Sequence, residues 1–411
     1  MLNRGLLLTG GKAGGNQTVG EAGGQGFGVG VYGGDPADLT SMGLTPMDGC
    51  DDPSSDNYGN YQHTNGSVMC FIPAFCYRIG NTAAPSYARD KENALEIRDA
   101  SEGEGNGWIL HRAFIDGGRQ KLGFFIDKYI CSKDSTGNLA VSVKNGDNLS
   151  LYSSKQTSGG MPNCTGNLAD AIVLGRARGE HYSCVTAFQW SAISMLSLAH
   201  GQAATSNQFC GWYDAGHVTN FPKGNNNNNF PLGDINDSSV KWAPHSGHAT
   251  LGKTGSGSPF NKTTHNGQNN GVTDVNGSQY QVVIGWASTS PLAISLLSES
   301  AKAHDFKGDN MNIFDTAKMN YEDGEWGWGA NAFFTEESGF KRALCGILPK
   351  QVDVSSTHLF GGDCIVLKSQ SALIVAGGHY DLSDAGVWTR IANSWGVRGM
   401  DRSFRIAGYA S

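Results

Sequence analysis

Nowhere does the 411-residue chain approach the ~20 consecutive apolar residues that a bilayer-spanning helix needs, which excludes membrane insertion by that route. Charge is scarce: only 16% of residues are Asp, Glu, Lys or Arg, and Lys+Arg 30 against Asp+Glu 37 gives a net charge of −7. A protein that coats nucleic acid carries a basic stripe instead, so that class is excluded as well. The first ten residues hold one basic residue and three consecutive leucines, short of the ~7–15 apolar residues of a signal peptide. The nine cysteines form no CxxC pair and have no close His or Cys partners of the zinc-site kind. Their odd number and wide spacing predict reduced, buried thiols. HExxH and GxSxG are both absent, which removes the commonest metalloprotease and hydrolase signatures.

Glycine is abundant. There are 58, against only 12 prolines, and 13 fall in the first 34 positions. This composition predicts turns, loops and short strands rather than long helices. Residues 1–65 read as a Gly-rich β/loop leader, too poor in large apolar side chains to bury a core alone and therefore expected to order against a partner chain. Dense strand texture begins at Val68–Ile79, with Pro73 marking a bend or an edge, and recurs at Gly123–Cys131 and Gln279–Trp286. Asn276-Gly277 predicts a hairpin turn. Two helices are expected, one capped by Asn167 and running to Arg178, the other capped by Thr186 over about 185–199 with Phe188, Ala192 and Met195 inward. Residues 213–270, with the Asn run 225–229, read as a peripheral polar insert.

Three motifs look like chemistry and carry little. Gly247–Thr254 fits GxxxxGK[ST] but lacks the flanking strand and helix that a phosphate cradle requires. Gly28–Gly33 fits GxGxxG inside a Gly-rich leader that opens no helix. Asp305, Asp309, Asn310, Asn312 and Asp315 supply oxygens without EF-hand spacing, so they read as a solvated loop. No metal or cofactor is assigned, although calcium or magnesium is compatible with the composition.

From residue 67 onward, a series of short motifs resembles the C-type-lectin-like domain shared by formylglycine-generating enzymes and the variable proteins of diversity-generating retroelements. Met69-Cys-Phe-Ile-Pro-Ala is similar to the opening strand, Phe124-Phe-Ile-Asp-Lys-Tyr-Ile to "FxIDKYEVT", and Val185-Thr-Ala-Phe-Gln-Trp-Ser-Ala to "LPTEAEWEYA". Gly271–Tyr280 resembles "GLYDMxGNVWEW", Leu359–Cys364 resembles "RGGSW", and Arg402–Ala407 resembles the closing "GFR" strand. The resemblance implies an α+β, C-type-lectin-like fold of the formylglycine-generating-enzyme subtype over 66–411. The oxidase branch carries a close cysteine pair before the closing strand, whereas Cys345 and Cys364 lie nineteen apart and no cysteine follows. The EPN, QPD and WND triplets of calcium-dependent sugar lectins are missing too.

The C-terminal segment, about 371–405, is similar to the variable-protein branch. There, adenine randomisation of AAY codons cannot yield Lys, Met, Trp, Glu or Gln. His379, Asp381, Ser383, Asp384, Thr389, Ile391, Ser394, Val397, Gly399 and Asp401 satisfy that restriction, while Met400 does not. With Tyr380, these positions are the expected ligand contacts, on a scaffold of Gly386, Trp388, Trp395, Gly396 and Phe404. The resemblance implies a non-enzymatic, homotrimeric phage tail-fibre tip, or tropism determinant, carried on the virion. It would join a tail-fibre protein through its leader and bind a host-surface receptor, protein or glycan, through diversified side chains. The alternatives are an oxidoreductase of the formylglycine-generating type and an adhesin without diversification.

Overall fold

A computed structural model describes residues 18–136, 139–149, 168–215, 233, 237–246, 248–275, 277–290, 293–318, 326–333, 349–353, 363–366, 372–376, 386–393 and 402–410. Within them the chain is α+β: many short strands surround one long helix.

A six-stranded sheet runs in the order Leu44–Pro46, Asn60–His63, Val68–Pro73, Gly123–Asp127, Ile406–Gly408, Tyr182–Cys184. Its two central strands are apolar at nearly every position, as strands covered on both faces must be. Alternation divides their side chains. Cys70, Ile72, Phe124 and Ile126 enter one apolar cluster, while Met69, Phe71 and Phe125 enter another. The sheet is thus a wall between two cores. At Pro73 the chain leaves this sheet, and Phe75–Ile79 becomes the middle strand of a second, three-stranded sheet with Leu95–Asp99 and Ile109–Leu110. The predicted bend at Pro73 is present.

The helix Ala187–Ala203 lies on the first cluster. Thr186 starts it with a full capping box: its hydroxyl accepts from Gln189 N at 3.1 Å, and the Gln189 side chain accepts from Thr186 N at 2.8 Å. Every residue from Ala187 to Gln202 is buried, so this helix is enclosed on all sides rather than amphipathic. The other expected helix runs Leu168–Ala177; its anticipated cap, Asn167, is outside the described residues, as is Asn276 of the expected hairpin.

Two expectations need correction. From residue 18 the leader does not wait for a partner to find a core. Val19, Phe27 and Val29 join the first cluster, and Tyr32, Met42, Leu44, Cys50 and Tyr61 join the second. A few aromatics, spaced by glycines that let the backbone approach closely, suffice. The expected insert is likewise not peripheral throughout. Trp242, Thr263, Thr264, His265, Asn266 and Asn270 are buried. Polar residues can be enclosed when their hydrogen bonds are met, and the asparagines of this segment bond to distant parts of the chain. Asn266 Nδ2 donates to Phe27 O at 2.8 Å, Lys128 Nζ to Asn269 O at 2.8 Å, and Asn60 Nδ2 to Asn270 O at 2.9 Å.

Candidate functional site

The segment expected to carry the ligand contacts begins on a seven-stranded sheet. Ala372–Val375 pairs antiparallel with Arg390–Asn393, placing Val375 opposite Arg390 and Ile374 opposite Ile391. Between the two strands, residues 386–390 turn inward onto the central helix. The Val387 carbonyl accepts from Trp190 Nε1 at 3.0 Å and from Arg390 Nη1 at 2.9 Å. It also lies 2.8 Å from Ser194 Oγ, whose single proton is shared between that carbonyl and Trp190 O at 3.0 Å. Ser194 Oγ accepts in turn from Arg390 Nη2 at 2.9 Å.

Asp363 holds the same turn from the other side. Its Oδ2 accepts the backbone N–H of Trp388 at 2.7 Å, and Gly386 packs so tightly on the carboxylate that a Cβ there would overlap it. Burial pushes the Arg390 guanidinium down to about 9, and Asp363 works against that shift. A buried cation tied to three carbonyl or hydroxyl oxygens resists displacement.

A second clamp follows at residues 402–406. Arg402–Ser403 lies parallel to Tyr280–Val283, and the fully buried Arg405 closes the junction. Arg405 donates through Nε to Gln281 Oε1 at 2.6 Å, through Nη1 to Asp127 O and Lys128 O at 3.0 Å each, and through Nη2 to Thr273 O. Asp127 is the hub: its carboxylate pairs with Arg178 and accepts Ile406 N at 2.9 Å. That carboxylate raises the Arg178 guanidinium against the desolvation that would lower it.

Trp388 and Phe404 sit in the first and second cores respectively, and Gly386 is buried. Thr389 corrects an expectation. It is fully buried, because it follows Trp388 within the anchored turn, where its N–H donates to Gly386 O at 3.1 Å; its side chain is not presented to a ligand. Ile391 is half-buried against the second cluster. His379, Tyr380, Asp381, Ser383, Asp384, Ser394, Trp395, Gly396, Val397, Gly399 and Asp401 lie outside the described residues. Sequence reasoning missed Asp363, Arg390, Ser194 and Arg405. The one available signal was the Trp190–Ser194 spacing, which puts a hydroxyl one helical turn from an indole on the same face of the helix.

Cys50, Cys70, Cys76, Cys131, Cys184 and Cys210 form no disulfide and are buried. Desolvation pushes the Cys70 and Cys210 thiols up to about 12, which keeps them protonated and unreactive at neutral pH. Among the described residues no group of three or more His, Cys, Asp or Glu is arranged to hold a metal ion, and no helix is long and apolar enough to cross a membrane. Within the GxxxxGK[ST] match, His248–Gly252 is a strand paired with Pro244–His245, not a phosphate-cradling loop.

No family model matches the chain, and no curated protein matches it. Solved structures similar to it include the Major Tropism Determinant U1 variant and the Major Tropism Determinant M1 variant. Each is 11% identical at a TM-score of 0.27; the first alignment covers 88% of this chain and 70% of that one, the second 84% and 63%. At that TM-score the likeness settles neither fold nor function.

Proposed function

We propose that the chain is a receptor-binding protein of a phage tail fibre, with a C-type-lectin-like fold of the formylglycine-generating-enzyme subtype and no enzymatic activity. Side chains between His379 and Asp401 choose the host-surface receptor. One observation carries this reading: the clamps at 386–390 and 402–406 fix the backbone on both sides of 394–401 to buried polar groups of the central helix and sheet. Substitution between such fixed points changes the contact surface without unfolding the frame, and a pre-organised frame lowers the ordering cost of binding. The segment is diversified by retrotransposition, the assembly is a homotrimer joined to the fibre, and multivalent presentation adds avidity.

The test is joint replacement of His379, Tyr380, Asp381 and Val397 by alanine, with adsorption to host cells and thermal unfolding measured together. Loss of adsorption with an unchanged melting temperature is expected. Undiminished adsorption would move the site elsewhere. A reverse transcriptase and a near-repeat of the 3′ coding end beside the gene separate this reading from an adhesin without diversification. Light scattering showing only monomer at micromolar concentration would refute the trimer.

A further inference from the structure

Residues 18–30 cross the molecule in neither strand nor helix, and side chains of the body hold their backbone. Asp99 Oδ1 accepts Val19 N at 2.6 Å, His200 Nδ1 accepts Gly23 N at 3.1 Å, and Gln268 Oε1 accepts Gly26 N at 2.7 Å. Gln268 Nε2 donates back to Gly24 O at 3.1 Å. Gly20, Gly23, Gly26 and Gly28 have φ of 78°, 84°, 73° and 82°, a left-handed sequence that lets the backbone lie flat on its support. The Phe27 ring stacks on His200, centroids 5.3 Å apart and planes 6° from parallel, and Gly28 rests on Nε2 of His265.

His200 is wired for one protonation state. Its Nε2 sits 2.8 Å from Phe209 O, so the proton is assigned there and Nδ1 keeps the lone pair that receives Gly23. A second proton would set donor against donor.

We propose that residues 18–28 are an acid-released latch: protonation of His200, reinforced by His265, lifts the strap from the central helix while sheet and helix stay folded. Both imidazoles are held neutral by desolvation, His200 pushed down to about 4 and His265 to about 3. The positive groups facing His265 are His200 itself and Arg405, and both oppose a further charge. An exposed imidazole titrates near 6.5, so the open strap binds the proton more tightly and gains population as pH falls. For His200 alone the gain is about 30-fold by pH 5. Burial, with Glu102 nearby, raises the Asp99 carboxyl, while the strap's own hydrogen bond from Val19 N lowers it.

Amide hydrogen exchange of the full chain at pH 7.5 and 5.0, corrected for intrinsic rates, reads this directly. Protection of peptides covering 18–28 is expected to fall at least about 30-fold at pH 5.0, while 187–203, which exchanges only on global unfolding, remains the better protected. His200→Gln, which retains a neutral acceptor, is expected to make the strap's fall about 30-fold smaller. Equal strap protection at the two pH values, exchange of helix and strap at one rate at pH 5.0, or a full fall in His200→Gln would each overturn the latch. The strap-against-helix comparison in the unaltered chain decides the matter even if the variant does not fold.

Discussion

The indole of Trp190 and the carbonyl of Val387 meet at 3.0 Å across 197 positions of sequence, and this contact holds the C-terminal turn on the central helix. Trp190→Phe keeps most of the ring but removes the donor. Since Ser194 and Arg390 still serve that carbonyl, the loss of stability is expected to be only about 1 kcal/mol. Trp190→Ala opens a cavity as well and is expected to cost ~3–5 kcal/mol. Denaturant unfolding of the two variants measures the difference; equal losses would mean that the hydrogen bond, not the packing, dominates.

Gly386→Ala tests the Asp363 clamp. The added methyl must displace a carboxylate that holds Trp388 N, and overpacking of this kind is expected to destabilise by ~1–3 kcal/mol. Gly386→Ala combined with Asp363→Ala should recover part of that loss. A double variant no better than the sum of the two single ones would show that the methyl is rejected by something else.

Removing Asp127 leaves Arg178 and the Ile406 amide buried without their acceptor. Asp127→Ala is expected to cost ~3–5 kcal/mol, the usual penalty for stranding one member of a buried ion pair. A thermal scan that shows no fall in melting temperature would contradict the hub role.

Acid should weaken the whole fold as well as the strap. His111, His200 and His265 are buried neutral, pushed down by desolvation to about 3, 4 and 3. The unfolded chain binds protons near pH 6.5 where the folded one does not, so stability is lost as pH falls below that value. The loss reaches about 2 kcal/mol per imidazole by pH 5. Urea midpoints at pH 7.5, 6.0 and 5.0 check the sign; a midpoint that rises on acidification refutes it.

Some of this was readable from local pattern. Thr186 marked a helix start, the dense apolar runs at Val68–Pro73 and Gly123–Asp127 marked strands, and Pro73 marked the bend between sheets. What escaped was non-local. Asn266, Gln268 and Asn270 look like solvent-loving loop residues until their partners, up to 244 positions away at Gly24, are known. Thr389 carries no sign of the burial that Asp363 and the Trp388 anchor impose. Periodicity reports which face of one element is apolar, and it is silent on which distant amide satisfies a buried carbonyl.

The place of Ile406–Gly408 in the sheet, between Gly123–Asp127 and Tyr182–Cys184, has a consequence for synthesis. The strands on either side emerge from the ribosome more than two hundred residues earlier and must wait for a shared neighbour. Until it arrives, two strand edges stay open and Asp127 lacks the Ile406 amide and Arg405. Long-range closure of this kind is slow and exposes chains to aggregation. Translation interrupted before residue 406 would therefore yield a product that leaves these edges open to chaperones and proteases.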